Sequence, residues 1–377
     1  MGSQDVSLYA VGDVGAFFKH PEIMFEHVGT TLREADVAFA QNERHYTDRY
    51  TERDLLPGVP FTEISPVSHA DALKQGGFHV LSFASNHCMD LGAQAMLDTI
   101  DVLQRNGFAV IGAGKNIEEA RKPVVLERKG TRIALLAYCS VLRQGYEATA
   151  SRAGCAPMRA STFYQQVDYQ PGTPPAIISF AYPEDLDAMR EDLRRAKQLS
   201  DVVVVSMHWG VHYVHGAIAI YQREVAHAAI DAGADLILGH HPHVLKGIEV
   251  YKGNAIFYSM GNFAFDLPLS MRVARAKIDP KKNHYNVTVD PEYAEMYAWP
   301  ADSRRSMIVK CTISGKRISR LSFLPVLINT SAQPMLVSSG DDLREALRYI
   351  TELSHGQGLE TAFAIEGAEV VVATCLT

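Results

Sequence analysis

Three histidines fall within four positions at Gly239-His240-His241-Pro242-His243-Val244, directly after the apolar run Leu236-Ile237-Leu238. Pro242 removes a backbone donor and holds the chain extended, so His241 and His243 can be splayed toward a common point. Neutral imidazole is the commonest protein metal ligand, and such a cluster at a strand end is hard to justify as packing. The bland alternative is a surface loop that happens to be rich in histidine.

The same arrangement recurs along the chain. Six apolar runs end in polar residues of one chemical type: Asp13, Glu43, Asn86-His87, His208, His241/His243 and Asn262. Taken singly, Asp13 could cap a turn, Glu43 could pair with Arg44 at the surface, and Asn86-His87 could be a turn with a satisfied core histidine. His208 follows four consecutive valines and would be costly there unless hydrogen-bonded or ligating. In α/β sheets ligands bind beyond the carboxyl ends of strands, so residues at those ends converge on one crevice. The sum is two carboxylates, an amide oxygen and three imidazoles, a set that suits Mn, Fe or Zn better than Mg or Ca. Two divalent cations bridged by a carboxylate would hold a hydroxide for attack and neutralise charge on the displaced group. A non-ligating histidine nearby could protonate the leaving group.

The elements that must position these side chains alternate between strand and helix. Strands are expected at Val6 to Val11, Val37 to Ala40, His79 to Ala84, Phe108 to Ile111, Val202 to Met207, Leu236 to Gly239 and Ile256 to Met260. Helical spacing marks Gly92 to Gly107, the stretch from Pro183 to Leu199, Ala217 to Ala232 and Leu343 to Leu353. Hairpins are expected across Lys129-Gly130 and Gly315-Lys316, and a closing strand at Val370 to Ala373. From Leu142 to Pro183 the pattern weakens into what reads as a long loop or insertion, and 267–305 reads as a second surface excursion. With no internal repeat and no clean linker, the expectation is a single α/β domain over 1–377.

Composition narrows the function classes. The 377 residues are 47% hydrophobic and 21% charged, ordinary for a globular chain. A net charge of -7 argues against nucleic acid as a partner, which would need a basic face. No apolar run approaches the roughly 20 residues that span a bilayer, so no membrane segment is expected. The stretch beginning MGSQDVSLYAVGDV lacks a basic segment followed by an apolar one, which gives an expectation of a cytoplasmic chain. Cys88, Cys139, Cys155, Cys311 and Cys375 are far apart and form no CxxC pair, so neither a disulfide framework nor a thiolate zinc site is indicated.

The motifs GDV at Gly12 to Val14, SNHCMDLG at Ser85 to Gly92, HWG at His208 to Gly210, GHHPHV at Gly239 to Val244 and YSMGNFAFD at Tyr258 to Asp266 occur in this order. Together they resemble the CapA family, poly-gamma-glutamate or capsule biosynthesis proteins of the calcineurin-like metallophosphoesterase superfamily. The resemblance implies a four-layer sandwich, two mixed β-sheets flanked by helices. It also implies Glu43 as the bridging carboxylate of a two-cation centre. Asn86, His208 and His241 would complete one site, Asp13 and His243 would serve the other, and His87 would be the general acid. Asp90 could orient His87, and Trp209 either walls the pocket or packs in the core.

Three departures from the family pattern matter. Gly15 stands where the superfamily carries a histidine, Gln41 replaces the asparagine of the NLE signature, and His212 replaces a glutamate. His212 or His45 is the expected repair for the thinned site. Candidate substrate contacts are His212, His240, Arg143, Tyr146 and Asn262, with Arg152 beside them. The implied activity is metal-dependent hydrolysis of a phosphoester, amide or ester in a small-molecule or polyanionic substrate. The alternative is an accessory component of polymer synthesis, and a homo-oligomer is left open.

Overall fold

The computed structural model describes residues 5–49, 64–168, 170, 172–268, 272, 289–337 and 340–373. Two mixed sheets lie face to face. The larger runs in the order Ala362–Glu366, Glu369–Ala373, Arg317–Ile328, Arg305–Ser314, Val6–Gly15, Val37–Asn42, Val80–Ser82 and Ala109–Ile111. From Val6–Gly15 onward its strands are parallel, whereas Arg305–Ser314 runs antiparallel to Val6–Gly15. The second has the order Ile248–Tyr251, Asn254–Phe257, Leu236–His240, Val202–His208, Thr131–Cys139 and Val124–Arg128. Its four inner strands are parallel and its two edge strands antiparallel.

The period-2 alternation of each strand explains why the sheets stack. Val6, Leu8 and Ala10 face Val202, Val204, Leu236 and Leu238 across a common apolar layer. The intervening Tyr9 and Val11 point to the opposite face, against Val28, Leu32, Leu73, Val102 and Leu103. Likewise Val203, Val205, Met207 and Ile237 meet Leu186, Met189, Leu193, Val225 and Ala229 of the helices Pro183–Leu199 and Ile220–Asp231. The result is helix, sheet, sheet, helix, the four-layer arrangement expected. Each fully buried Val or Leu of these layers contributes roughly 1.5–3 kcal/mol over remaining exposed. Pro183 at the first helical position, with Glu184 and Asp185 in the first turn, starts the longer flanking helix in agreement with its dipole. Among the described residues no helix is long and apolar enough to cross a membrane.

The structure adds the edge strands Ile248–Tyr251 and Ala362–Glu366 to the sequence reading and differs from it in two further stretches. The 142–183 stretch is not featureless: Ala160–Gln165 and Ala176–Ala181 form an antiparallel hairpin, and Gly154–Cys155 pairs with Ala113–Gly114. The Gly- and Pro-rich connection between the hairpin strands masks the alternation on either side. The strand expected to run to Met260 ends at Phe257, and Asn262–Phe265 starts a separate strand parallel to Val6–Gly15. About half of the expected 267–305 excursion lies outside the described residues.

That extra strand sits close against the first. Asp13 is in register with Asn262, and a Cβ on Gly12 would stand only 1.9 Å from the Gly261 carbonyl oxygen. Gly12→Ala should therefore push the two strands apart at a point where the backbone cannot yield. The expected loss is roughly 2–3 kcal/mol in denaturant unfolding. An unchanged midpoint would show that the contact is not a constraint.

Candidate functional site

The carboxyl ends of both sheets open onto one crevice. Asp13 comes from the end of Val6–Gly15, Glu43 follows Val37–Asn42, and Asn86 and His87 follow Val80–Ser82. His208 is the last residue of Val202–His208, and His240 to His243 leave Leu236–His240. Asp13, Glu43 and His208 are fully buried, and one ligand atom from each lies within 4.8 Å of the others. The His208 ring spans its neighbours, with Nδ1 3.2 Å from Glu43 Oε1 and Nε2 2.7 Å from Asn86 Oδ1. Asn86 Oδ1 also lies 3.2 Å from His241 Nδ1. On the other side Asp13 Oδ1 is 3.2 Å from His240 Nδ1, and Oδ2 is 3.3 Å from His243 Nδ1.

Electrostatics here favour ligand forms. Burial alone would raise the Asp13 carboxyl, but the His240 and His243 imidazoles outweigh it and hold the group well below the usual carboxylate range. Burial pushes His208 and His241 well below the ordinary histidine value, and neighbouring imidazoles add to it, so both rings are neutral. Neutral imidazoles and enclosed carboxylates are the forms in which these groups would hold a divalent cation. The donor set therefore fits a metal.

The backbone is strained to present these rings. His241 has φ 93° and His243 φ 56°, both in the left-handed region that costs a non-glycine residue about 1–3 kcal/mol. The loop is tied by Trp209 N–H to the His240 carbonyl (3.1 Å) and by Tyr213 N–H to the Pro242 carbonyl (3.0 Å). His243 is backed by Asn262 Oδ1 at 2.8 Å and by Trp299, whose ring centre is 4.4 Å away.

At the rim stands a different set. The His87 side chain is 23% exposed, and its Nδ1 is 2.7 Å from Asp90 Oδ2. Asp90 is fully buried, and its Oδ1 accepts a 2.7 Å hydrogen bond from the Tyr146 hydroxyl. His212 is half-buried with its ring centre 3.8 Å from that of His241.

The remaining expected residues fall further back. His240 is enclosed beneath Asp13, Asn262 orients His243 while donating to the Tyr297 hydroxyl (3.0 Å), and Tyr146 is 2% exposed. All three are buried, and each holds another side chain. Arg143 is half-buried near the Tyr146 ring, whereas Arg152 pairs with Glu147 at 2.8 Å. Trp209 is fully buried, donates to the Tyr258 carbonyl at 3.0 Å and belongs to the core. His45 does not converge on the crevice, since its Nε2 bonds the His87 carbonyl at 2.7 Å. The bland reading of Glu43-Arg44 as a surface pair fails, because both are buried and Arg44 pairs with Asp266 at 3.0 Å. A side chain at Gly15 would meet the Phe265 ring at 2.7 Å, so that position has no room for another ligand. Trp299 and Tyr297, which back His243 and Asn262, carry no spacing signal that sequence reasoning could use.

A family model described as "Bacterial capsule synthesis protein PGA_cap" matches residues 7–267, a span that contains every residue of the crevice named above except Tyr297 and Trp299. PGA biosynthesis protein CapA of Bacillus subtilis (strain 168) is 32% identical over 251 residues, 66% of this chain and 58% of that one. Capsule biosynthesis protein CapA of Bacillus anthracis is 34% identical over 246 residues, 65% of this chain and 54% of that one. A probable polyglutamine synthesis accessory protein of Mycobacterium tuberculosis is 30% identical over 192 residues, half of this chain and 45% of its own length. The chain thus spans about half the length of the curated relatives it matches. Among solved structures, a purple acid phosphatase from yellow lupin overlaps 89% of this chain and 53% of its own, at 12% identity and a TM-score of 0.39.

A cation bound by the buried carboxylates stabilises the folded chain by linkage, about 2.7 kcal/mol at a hundredfold excess over its dissociation constant. Mn²⁺ should raise the unfolding midpoint of the wild type and of His45→Ala, and should do neither for Glu43→Gln nor for His208→Ala. Equal shifts in all four proteins would place the cation elsewhere.

Proposed function

The chain belongs to the bacterial capsule synthesis protein family PGA_cap, as the CapA-like motifs led us to expect, and from that premise we propose that it is a metal-dependent hydrolase. The observation that carries this reading is the meeting of two enclosed carboxylates with neutral imidazoles directly beside a rim histidine held by its own carboxylate. Glu43, Asn86, His208 and His241 would hold one divalent cation, and Asp13 and His243 a second, with Mn, Fe or Zn matching the donors. Such ions supply Lewis acidity toward a phosphoryl or acyl oxygen and an acidified water.

The chain's own residues do the rest. Asp90 accepts from His87 Nδ1, which fixes the tautomer and ring plane and makes Nε2 the nitrogen that would carry the proton exchanged with substrate. When protonated, that nitrogen can pass its proton to a leaving oxygen or nitrogen. Tyr146 occupies the second oxygen of Asp90, so the carboxylate cannot rotate away from His87. His212, half-buried beside the His241 ring, would meet the substrate. The relatives' names support a polyanionic substrate of the poly-gamma-glutamate class, where the cleaved bond would be an amide or a phosphoester. One relative is named as an accessory protein, which favours a non-catalytic role in polymer synthesis as the second reading.

The test is metal analysis of purified protein followed by turnover of phosphoesters, γ-glutamyl amides and lactones. His87→Ala should retain its metal and lose about 10²–10⁴ in kcat, and Asp90→Asn should lose activity in the same direction. A metal-loaded protein that turns over none of these substrates would favour the accessory role. Turnover of amides alone would exclude the phosphoesterase version and keep the hydrolase.

A further inference from the structure

Shortly after His243 the chain buries a lysine. Lys246 is 1% exposed, and its backbone is fixed to the neighbouring strand end: its N–H donates to the Ser259 carbonyl at 3.2 Å, and Leu245 before it is bridged to Met260. The Lys246 ammonium donates to the Val214 carbonyl. Burial pulls that ammonium down to about 8, against the attraction of the Asp302 carboxylate. Val214 is exposed and lies in the irregular stretch 209–219, which joins the strand Val202–His208 to the helix Ile220–Asp231.

The same stretch carries His212 and Tyr213. Tyr213 stands in the left-handed region at φ 56°, its N–H donates to the Pro242 carbonyl, and the Val214 N–H closes back on the His212 carbonyl at 2.7 Å. This turn sets the centre of the His212 ring 3.8 Å from that of His241 and 5.4 Å from that of His243. A non-glycine residue keeps a positive φ only where its surroundings over-determine it. Here the Pro242 carbonyl fixes Tyr213 itself, and Lys246 fixes the carbonyl that follows it.

We propose that Lys246 is a positioning residue, which holds the 211–216 turn by the Val214 carbonyl and thereby keeps the His212 ring beside His241. The proposal rests on the reading of His212 as a substrate contact. A methionine at position 246 would fill a similar volume with no ammonium to desolvate, so the charge works against stability. What the ammonium adds is a charge-assisted hydrogen bond, roughly twice as strong as a neutral one, on a turn that otherwise faces water. That bond does little for folding and much for where the turn sits.

The test compares wild type, Lys246→Met, His212→Ala and the double variant, each as the full chain with Mn²⁺ present. Hydrogen–deuterium exchange across 211–216 should rise about tenfold in Lys246→Met, while the unfolding midpoint stays unchanged or rises. On whichever phosphoester or γ-glutamyl amide the wild type turns over, Lys246→Met should raise KM by the same factor as His212→Ala. It should leave kcat within about twofold and add nothing in the double variant. Unchanged exchange, a lowered midpoint, or KM effects that multiply in the double variant would each overturn the role of Lys246. A wild type that turns over no substrate would end the hydrolase reading instead, and exchange and midpoint would still decide whether Lys246 holds the turn.

Discussion

Two carboxylates withdrawn from water at the ends of adjacent parallel strands are the most expensive feature of this molecule. Asp13 and Glu43 are both fully buried, and the rings closest to them include His208, which burial keeps neutral. Each carboxylate enclosed at this depth costs several kcal/mol in a protein interior before its partners are counted. The sheets, the loop strain and the glycine contacts around the crevice all hold these groups in place against that cost. A divalent cation removes the penalty, and the same strain then becomes preorganisation.

The site is built in two depths. The floor, made of Asp13, Glu43, His208 and His240, is enclosed and anchored to strand ends whose alternation also builds the central apolar layer. The rim, made of Asn86, His87 and His212, hangs on turns and is partly open. Rigid elements thus carry the proposed ligands, and the turns carry the groups proposed to meet a substrate. Asp90 and Tyr146 connect the two depths, because a buried carboxylate held by a buried hydroxyl stiffens a half-exposed histidine.

Much of this was legible in sequence, for definite physical reasons. Strand ends announce themselves where a run of valine or leucine meets an isolated polar residue, and Asp13, Glu43, His208 and His241 were all found that way. What depth a side chain occupies was not legible. His240, Tyr146 and Asn262 have the chemistry of substrate contacts, yet packing turns each toward another protein group. The hairpin Ala160–Gln165 with Ala176–Ala181 was hidden by the Gly- and Pro-rich connection inside it. The strand Asn262–Phe265 is four residues long and owes its existence to tertiary pairing with Val6–Gly15.

The central claim is that the enclosed carboxylates exist to hold a divalent cation. Anomalous diffraction from crystals grown with Mn²⁺, collected at the manganese edge, tests it most directly. The account predicts density within coordination distance of Asp13, Glu43 and His208. A crevice without anomalous signal, in crystals whose manganese sits at other groups, would contradict it.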